Sequence, residues 1–230
     1  MLTQRSQEKE LIDLGPDHYT PEEYQNFLSK LFIINKLLGI FKSTVKTIKR
    51  FPAAETLADI GCGGGQFLLH LSEHFPAMHL IGLDISTEAI HAANQTLATW
   101  KETNPAIDVG FYLQPQPELK LPENSLDLLV ATLVCHHLSD EELIEFLHTA
   151  ATTAKQAVIL NDLYRHRMAQ WLHSLFSPLL GSRLICYDGS ISIRRGFTRS
   201  EWELLLKKAK VKHYEISLRL PFWWQVVLWK

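Results

Sequence analysis

The sequence predicts an α/β chain: a doubly wound, mostly parallel seven-stranded sheet with an antiparallel C-terminal strand pair and an N-terminal helical cap. Three observations carry that prediction. From residue 53 onward, short apolar runs alternate with amphipathic stretches of helical period, the order that places helices on both faces of a parallel sheet. The first such run passes directly into a glycine-rich turn, Gly61-Cys62-Gly63-Gly64-Gly65. The last two apolar runs are separated by little more than Pro221, too short a link for a parallel crossover, so that pair must be antiparallel.

Ahead of Phe51-Pro52, residues Phe27, Leu31, Ile34, Leu38, Phe41, Val45 and Ile48 recur at spacings of four and three, a helical stripe. Gly39 is placed to kink or split that helix. Lys42, Lys46, Lys49 and Arg50 gather toward its end, where cations suit the helix dipole. Residues 1–52 therefore read as a cap, either simply packed on the main domain or serving as a lid, and the basic end leaves peripheral membrane contact open. Residues 53–230 read as the main domain. Residues 56–60 are a buried strand, and 66–74 a helix with Phe67, Leu68, Leu71 and Phe75 on one side. A second strand spans 79–85, and Ser86 caps the next helix. Strands three, four and five fall at 107–113, 126–133 and 157–161. Ser139 and Glu142 form a capping box, as do Thr198 and Glu201. A helix over 164–180 ends at Gly181, and 183–199 reads as a long irregular loop, a feature that is often functional. The closing strands span 213–220 and 222–229, with Phe222, Trp223, Trp224 and Trp229 better explained by core packing than by an aromatic substrate box.

Composition narrows the function classes. A chain of 230 residues with 46% hydrophobic content suits one α/β domain with an added cap. The formal charge of −2 lacks the basic excess of a nucleic-acid binder. Cys62, Cys135 and Cys186 are odd in number and form no CxxC pair, which suits a reducing cytoplasm and predicts neither a disulfide framework nor a metal site. Residues 1–10 lack the apolar core of a signal peptide, and no apolar run approaches the roughly 20 residues that span a bilayer.

The chemistry concentrates in Asp59-Ile60-Gly61-Cys62-Gly63-Gly64-Gly65. Glycines between a strand and a helix let the backbone turn sharply and approach a ligand. A dinucleotide fingerprint requires GxGxxG, but counting from Gly61 the sixth residue is Gln66. Asp59, at the strand end, repels a pyrophosphate and attracts an ammonium group. Asp84 closes the second strand 19 residues after Gly65, where an acid accepts hydrogen bonds from ribose hydroxyls. An aminoacyl nucleoside without phosphate, S-adenosylmethionine, fits this acidic pair; a nicotinamide dinucleotide, and with it an oxidoreductase, fits less well.

These residues resemble the first two motifs of the class I S-adenosylmethionine-dependent methyltransferases. The segment 126–138, containing His136-His137, is similar to that family's fourth motif, and the resemblance covers roughly residues 53–162. It is greatest toward the small-molecule branch, which includes quinone-biosynthesis and polyketide-tailoring enzymes. The resemblance implies a cofactor site of Asp59, Gly61, Cys62, Gly63, Gly65, Asp84, Ile85, Gln114 and Leu133, with S-adenosylhomocysteine as product. One departure concerns the adenine contact after strand three. The family often has an aspartate there, whereas this chain has Gln114-Pro115-Gln116-Pro117-Glu118, leaving Gln114, Gln116 and Glu118 as alternatives.

The implied partner is a small, largely apolar methyl acceptor, phenolic, enolic or a quinone or polyketide precursor, with O- and C-methylation both open. His136 and His137 follow strand four, at the sheet edge where open α/β folds bind ligands. Either is a candidate base, His136 more than His137; the alternative is that they shape the loop. Arg165, Tyr187 and Arg195 are candidate acceptor-binding residues. For Arg165 and its neighbour His166 the alternative is solvated surface. A non-catalytic partner subunit that keeps the cofactor fold is the alternative to an enzyme.

Overall fold

The computed structural model describes residues 4–114 and 119–230. Among the described residues, seven strands form one sheet in the order β3-β2-β1-β4-β5-β7-β6. The strands are β1 (Thr56–Ile60), β2 (His79–Asp84), β3 (Val109–Leu113), β4 (Leu126–Thr132), β5 (Ala154–Leu163), β6 (Tyr214–Arg219) and β7 (Trp223–Trp229). The first five pair in parallel, while β7 runs antiparallel to both β5 and β6. The sheet order reverses between β1 and β4, so the loops after these two strands open onto a shared crevice at their C-terminal ends.

The two-residue period of the strands sorts side chains between two helical layers. Ala58, Leu129, Val158, Leu160, Trp224 and Val226 pack against α5 (Asp140–Thr153) and α8 (Arg199–Lys208). Leu57, Leu128, Val130, Ile159, Trp223 and Val227 pack against α2 (Ile40–Ile48), α3 (Gln66–His74) and α4 (Thr87–Thr103). Both expected capping boxes are formed, at the N-termini of α5 and α8, and Ser86 caps α4 by accepting the Ala89 N–H.

The N-terminal stripe is split by Gly39, which takes a left-handed φ of 75°, into α1 (Pro21–Leu37) and α2. A third capping box, Thr20 with Glu23, starts α1. Helix α2 is locked to the sheet by a buried polar network. Gln225 Oε1 accepts from Thr47 Oγ1 (2.9 Å), Gln225 Nε2 donates to Asn161 Oδ1 (3.1 Å), and Asn161 Nδ2 donates to Thr44 Oγ1 (3.0 Å). Such amides in a core are tolerated because their polar atoms find partners.

One expectation is corrected. Residues 183–199 are not an irregular loop. They contain α7 (Arg183–Arg195), capped by Ser182, whose Oγ accepts the Ile185 N–H. Its buried positions are Leu184, Ile185, Asp188, Ile191, Ser192, Ile193 and Arg195. Three of the seven are polar, and they interrupt the apolar stripe. The 164–180 helix is shorter than expected: α6 spans Arg167–Phe176, followed by a 3-10 turn over Ser177–Leu180 and a left-handed Gly181.

Candidate active site

At the C-terminal end of β1 the chain turns through Gly61, Gly63 and Gly65, all left-handed with φ of 69°, 53° and 77°. At two of them glycine is also required by space. A Cβ on Gly61 would stand 2.4 Å from Val134 Cγ2, and one on Gly65 would stand 2.5 Å from Phe111 Cζ. Gly61 and Cys62 both donate their N–H to Leu83 O (2.7 and 3.1 Å), tying the loop to β2. Asp84 braces it from the side: Oδ2 accepts the Gly63 N–H (2.8 Å) and Oδ1 the Ser86 N–H (2.9 Å). Burial nonetheless pushes the Asp84 carboxyl up. Asp59 is 2% exposed, and its Oδ1 has no hydrogen-bond partner. Burial, and then the neighbouring Asp84, raise its pKa well above the usual carboxylate range. A buried carboxyl oxygen with no donor is costly, and a cationic ligand would relieve that cost. The Cys62 thiol is likewise pushed up by burial and by the two aspartates, so it stays neutral. Leu133, at the end of β4, is held at a φ of 58° while its N–H donates to Asn161 O (2.8 Å). A left-handed leucine is a strained conformation of the kind that clusters at functional sites.

The second half of the site lies after β4 and β5. His136 and His137 occupy a 3-10 turn, with ring centroids 4.2 Å apart. His136 is 2% exposed. Its Nδ1 lies 2.8 Å from Asp162 Oδ1 at the end of β5, and its Nε2 lies 3.4 Å from Glu10 Oε1. Burial opposes charge on this ring, but Asp162 and Glu10 outweigh it, and the pKa rises to about 10. Burial raises and His136 lowers the Asp162 carboxyl, with a net fall. His137 is half-buried; its Nδ1 lies 2.8 Å from Asp13 Oδ1 and its Nε2 4.0 Å from Glu10 Oε2.

Glu10 and Asp13 belong to an N-terminal strap that crosses this edge of the sheet. Arg195, on α7, fastens it. Its Nε donates to His136 O (2.7 Å), its Nη2 to His137 O (2.6 Å), and its Nη1 to Glu8 O (3.1 Å) and Asp13 Oδ2 (3.0 Å). Two further ties come from the same helix: Asp188 Oδ1 accepts the Leu11 N–H (2.8 Å), and Ser192 Oγ donates to Glu10 Oε1 (2.8 Å). Arg5 lies over the Phe197 ring and pairs with Asp140 at 2.6 Å.

The family described as "Methyltransferase domain" matches residues 57–157, the glycine loop, both aspartates and the histidine turn included. Over that segment the chain is similar to a methyltransferase domain. No characterised protein matches it by sequence. Several solved structures share the methyltransferase fold. A protein of Nostoc punctiforme assigned as an O-methyltransferase is similar over 91% of this chain at 16% identity and a TM-score of 0.65, and the chain spans 60% of that protein's length. An S-adenosylmethionine-dependent methyltransferase of Aquifex aeolicus is similar over 91% of this chain and 98% of its own, at 18% identity and a TM-score of 0.65. Human N-acetylserotonin methyltransferase, solved with S-adenosylmethionine, is similar over 92% of this chain and 56% of its own, at 17% identity and a TM-score of 0.66.

The structure brings together Asp59, Gly61, Cys62, Gly63, Gly65 and Asp84 around the glycine turn. Ile85 follows Asp84 and is exposed. Gln114 donates its N–H to Asp84 O (2.8 Å), while Gln116 and Glu118 lie outside the described residues. The solvated-surface alternative for Arg165 is corrected. The side chain is buried, donating to Gly196 O and pairing with Glu201 at 2.6 Å, so it ties β5 to the start of α8. Tyr187 is 45% exposed and donates to Glu8 Oε1 (3.4 Å) at the surface. Arg195 does stand beside the histidines, but its guanidinium is committed to the strap and to backbone carbonyls. Sequence reasoning missed Glu10, Asp13 and Tyr24. Tyr24 and Leu28, on α1, cover the cofactor loop: the Leu28 Cδ2 lies 3.4 Å from where a Gly63 Cβ would be, and Tyr24 is buried beside Ser86 and Asp84. A periodic stripe does not show which ligand loop it will cover, and nothing in a short polar terminus marks a glutamate that will be buried.

Proposed function

We propose that this chain transfers a methyl group from S-adenosylmethionine to a small, largely apolar acceptor with an acidic oxygen or carbon: a phenol, an enol, or a quinone or polyketide precursor. The observation that carries this reading is the acidic pair around the left-handed glycine loop, with an unpartnered, buried oxygen on Asp59. That oxygen suits an ammonium group and repels a phosphate. The two oxygens of Asp84 each accept one backbone N–H and keep lone pairs for hydroxyls. Gly61, Gly63 and Gly65 present backbone rather than side chains, and Cys62, Ile85, Gln114 and Leu133 complete the set that would hold the cofactor. When bound, the cofactor supplies a methyl group on a positively charged sulfur.

The chain's own residues have two tasks, alignment of the acceptor and control of its proton. Alignment in a dry site is worth roughly 7–11 kcal/mol of barrier. The α1 helix and the strap, residues of the 1–52 cap, cover the two halves of the crevice and would exclude water. A proton must leave the acceptor as it attacks. The carboxylate-backed histidines and Glu10 are titratable groups gathered where β4 and β5 end. A near-neutral chain with a covered site favours a small acceptor over nucleic acid, and human N-acetylserotonin methyltransferase, similar in fold, is named for a small acceptor. No described helix is long and apolar enough to cross a membrane.

The test is calorimetric titration with S-adenosylhomocysteine and, in parallel, with NADH, followed by a screen of phenols and quinone precursors for transfer of labelled methyl. Saturable binding of the first ligand alone, with methyl transfer to one acceptor class, is expected. Binding of NADH alone would overturn the reading, and cofactor binding without transfer to any acceptor would point to a non-catalytic subunit.

A further inference from the structure

The sequence gives no sign of a metal site: its cysteines are scattered, and its two adjacent histidines have no sequence neighbour to complete a ligand set. The fold supplies the missing partner. Glu10, His136 and His137 offer one carboxylate oxygen and two imidazole nitrogens, all within 4.8 Å of one another. Among the described residues this is the only such trio of histidine, cysteine and carboxylate groups.

The orientation of the rings matters more than their proximity. Each imidazole has its Nδ1 committed to a carboxylate at 2.8 Å, His136 to Asp162 and His137 to Asp13. With Nδ1 as donor, a neutral ring presents a lone pair at Nε2. Both Nε2 atoms face the Glu10 carboxylate, at 3.4 and 4.0 Å, which also carries only lone pairs. With both rings neutral, three electron-pair donors converge. A proton on His136 bridges only its Nε2 and Glu10, and a second on His137 would set two imidazolium cations with centroids 4.2 Å apart. A single divalent cation satisfies all three donors at once.

We propose that Glu10, His136 and His137 form a binding site for one divalent transition-metal ion of the zinc class. Two imidazoles and one carboxylate make a ligand set that suits zinc, cobalt, nickel or iron(II), and not calcium or magnesium, which prefer all-oxygen shells. Ligands at about 2.1 Å from a tetrahedral ion stand roughly 3.4 Å apart, so the trio needs only a small closure. Carboxylates behind metal-binding histidines fix the tautomer and ring orientation, the part that Asp162 and Asp13 take here. The third ligand is fixed as well, because Ser192 Oγ donates to Glu10 Oε1 at 2.8 Å. A tetrahedral ion held by three protein ligands keeps an open position, available to an acceptor oxygen. The ion would also pin the strap across the crevice. The site stands on side-chain geometry alone; its catalytic use rests on the proposed methyl transfer.

The test uses the full-length, untagged chain after treatment with a chelator. Zn2+ is titrated calorimetrically, and Co2+ is followed by its visible absorption as a probe of coordination. S-adenosylhomocysteine is titrated into the same samples. One ion per chain is expected, with affinity falling by at least about tenfold in Glu10→Gln and in His137→Ala, and by about 10–100-fold in Asp13→Asn, whose carboxylate orients the His137 ring without being a ligand. S-adenosylhomocysteine binding should persist in all three. Failure of the wild-type chain to take up Zn2+ or Co2+ stoichiometrically, while still binding S-adenosylhomocysteine, would overturn the metal site. So would stoichiometric uptake unchanged in Glu10→Gln and His137→Ala. Metal uptake that depends on these residues, in a chain that does not bind S-adenosylhomocysteine, would support this site and count against the methyl-transfer reading instead.

Discussion

Two residues, one in the glycine turn and one at the strand end beside it, show how much a single side chain decides. Asp84 both braces the loop, through the Gly63 and Ser86 N–H groups, and keeps lone pairs for a ligand. Asp84→Ala should therefore weaken S-adenosylhomocysteine binding by about 1–3 kcal/mol without unfolding the chain. Calorimetry checks this, and unchanged affinity would remove Asp84 from the site. Gly61 is limited twice, by its left-handed φ and by the Val134 methyl 2.4 Å from a would-be Cβ. Gly61→Ala should lower both cofactor affinity and melting temperature. Adding Val134→Ala should recover part of the loss, since it relieves the clash but not the backbone strain. A double variant no better than the single one would show that φ alone matters. The placement of Asp59, Gly61, Gly63, Gly65 and Asp84 was legible in the sequence because it is local: a strand end, a turn and the end of the next strand.

At the scale of elements, α7 is the instructive case. Beside Leu184 and Ile185, which pack against α1, its buried face carries Asp188, Ser192 and Arg195, which meet the strap. Polar groups buried against a partner segment interrupt the hydrophobic stripe, and periodicity then reads the helix poorly. The same contacts make a prediction. Arg195→Ala removes four hydrogen bonds that hold the strap to the histidine turn. Loss of a buried, hydrogen-bonded charge costs about 3–5 kcal/mol, and amides of residues 5–14 should then exchange hydrogen much faster in a mass-spectrometric time course. If only the amides of α7 were affected, the strap would be held by other means. By contrast, the starts of α5 and α8 were legible to the residue, since their capping boxes are written in four consecutive positions each.

For the molecule as a whole, the His136–Asp162 pair links folding to pH. His136 holds its proton more tightly folded than unfolded, so its contribution is complete below its ordinary value of 6.5 and is lost as pH rises toward about 10. Asp162 is held below its ordinary 3.8, so its contribution is present above that pH and is lost in stronger acid. In the presence of a chelator, the melting temperature should fall as pH rises from 6.5 toward 10, and His136→Asn should lack that component of the fall. Parallel profiles for the two proteins would show that the pair does not couple folding to pH. Taken alone, the sequence determined the sheet, the order of its layers, the split at Gly39 and the acidic pair beside the glycine loop. Each of these is set by neighbours in the chain: period, caps, turn residues and strand ends. Tertiary structure alone decided that Glu10 and Asp13 meet two histidines more than 120 residues away, that α7 serves as their anchor, and that Arg165 is buried against Glu201. Those contacts join segments remote in sequence, and their polar character leaves no periodic trace of the face on which they will meet.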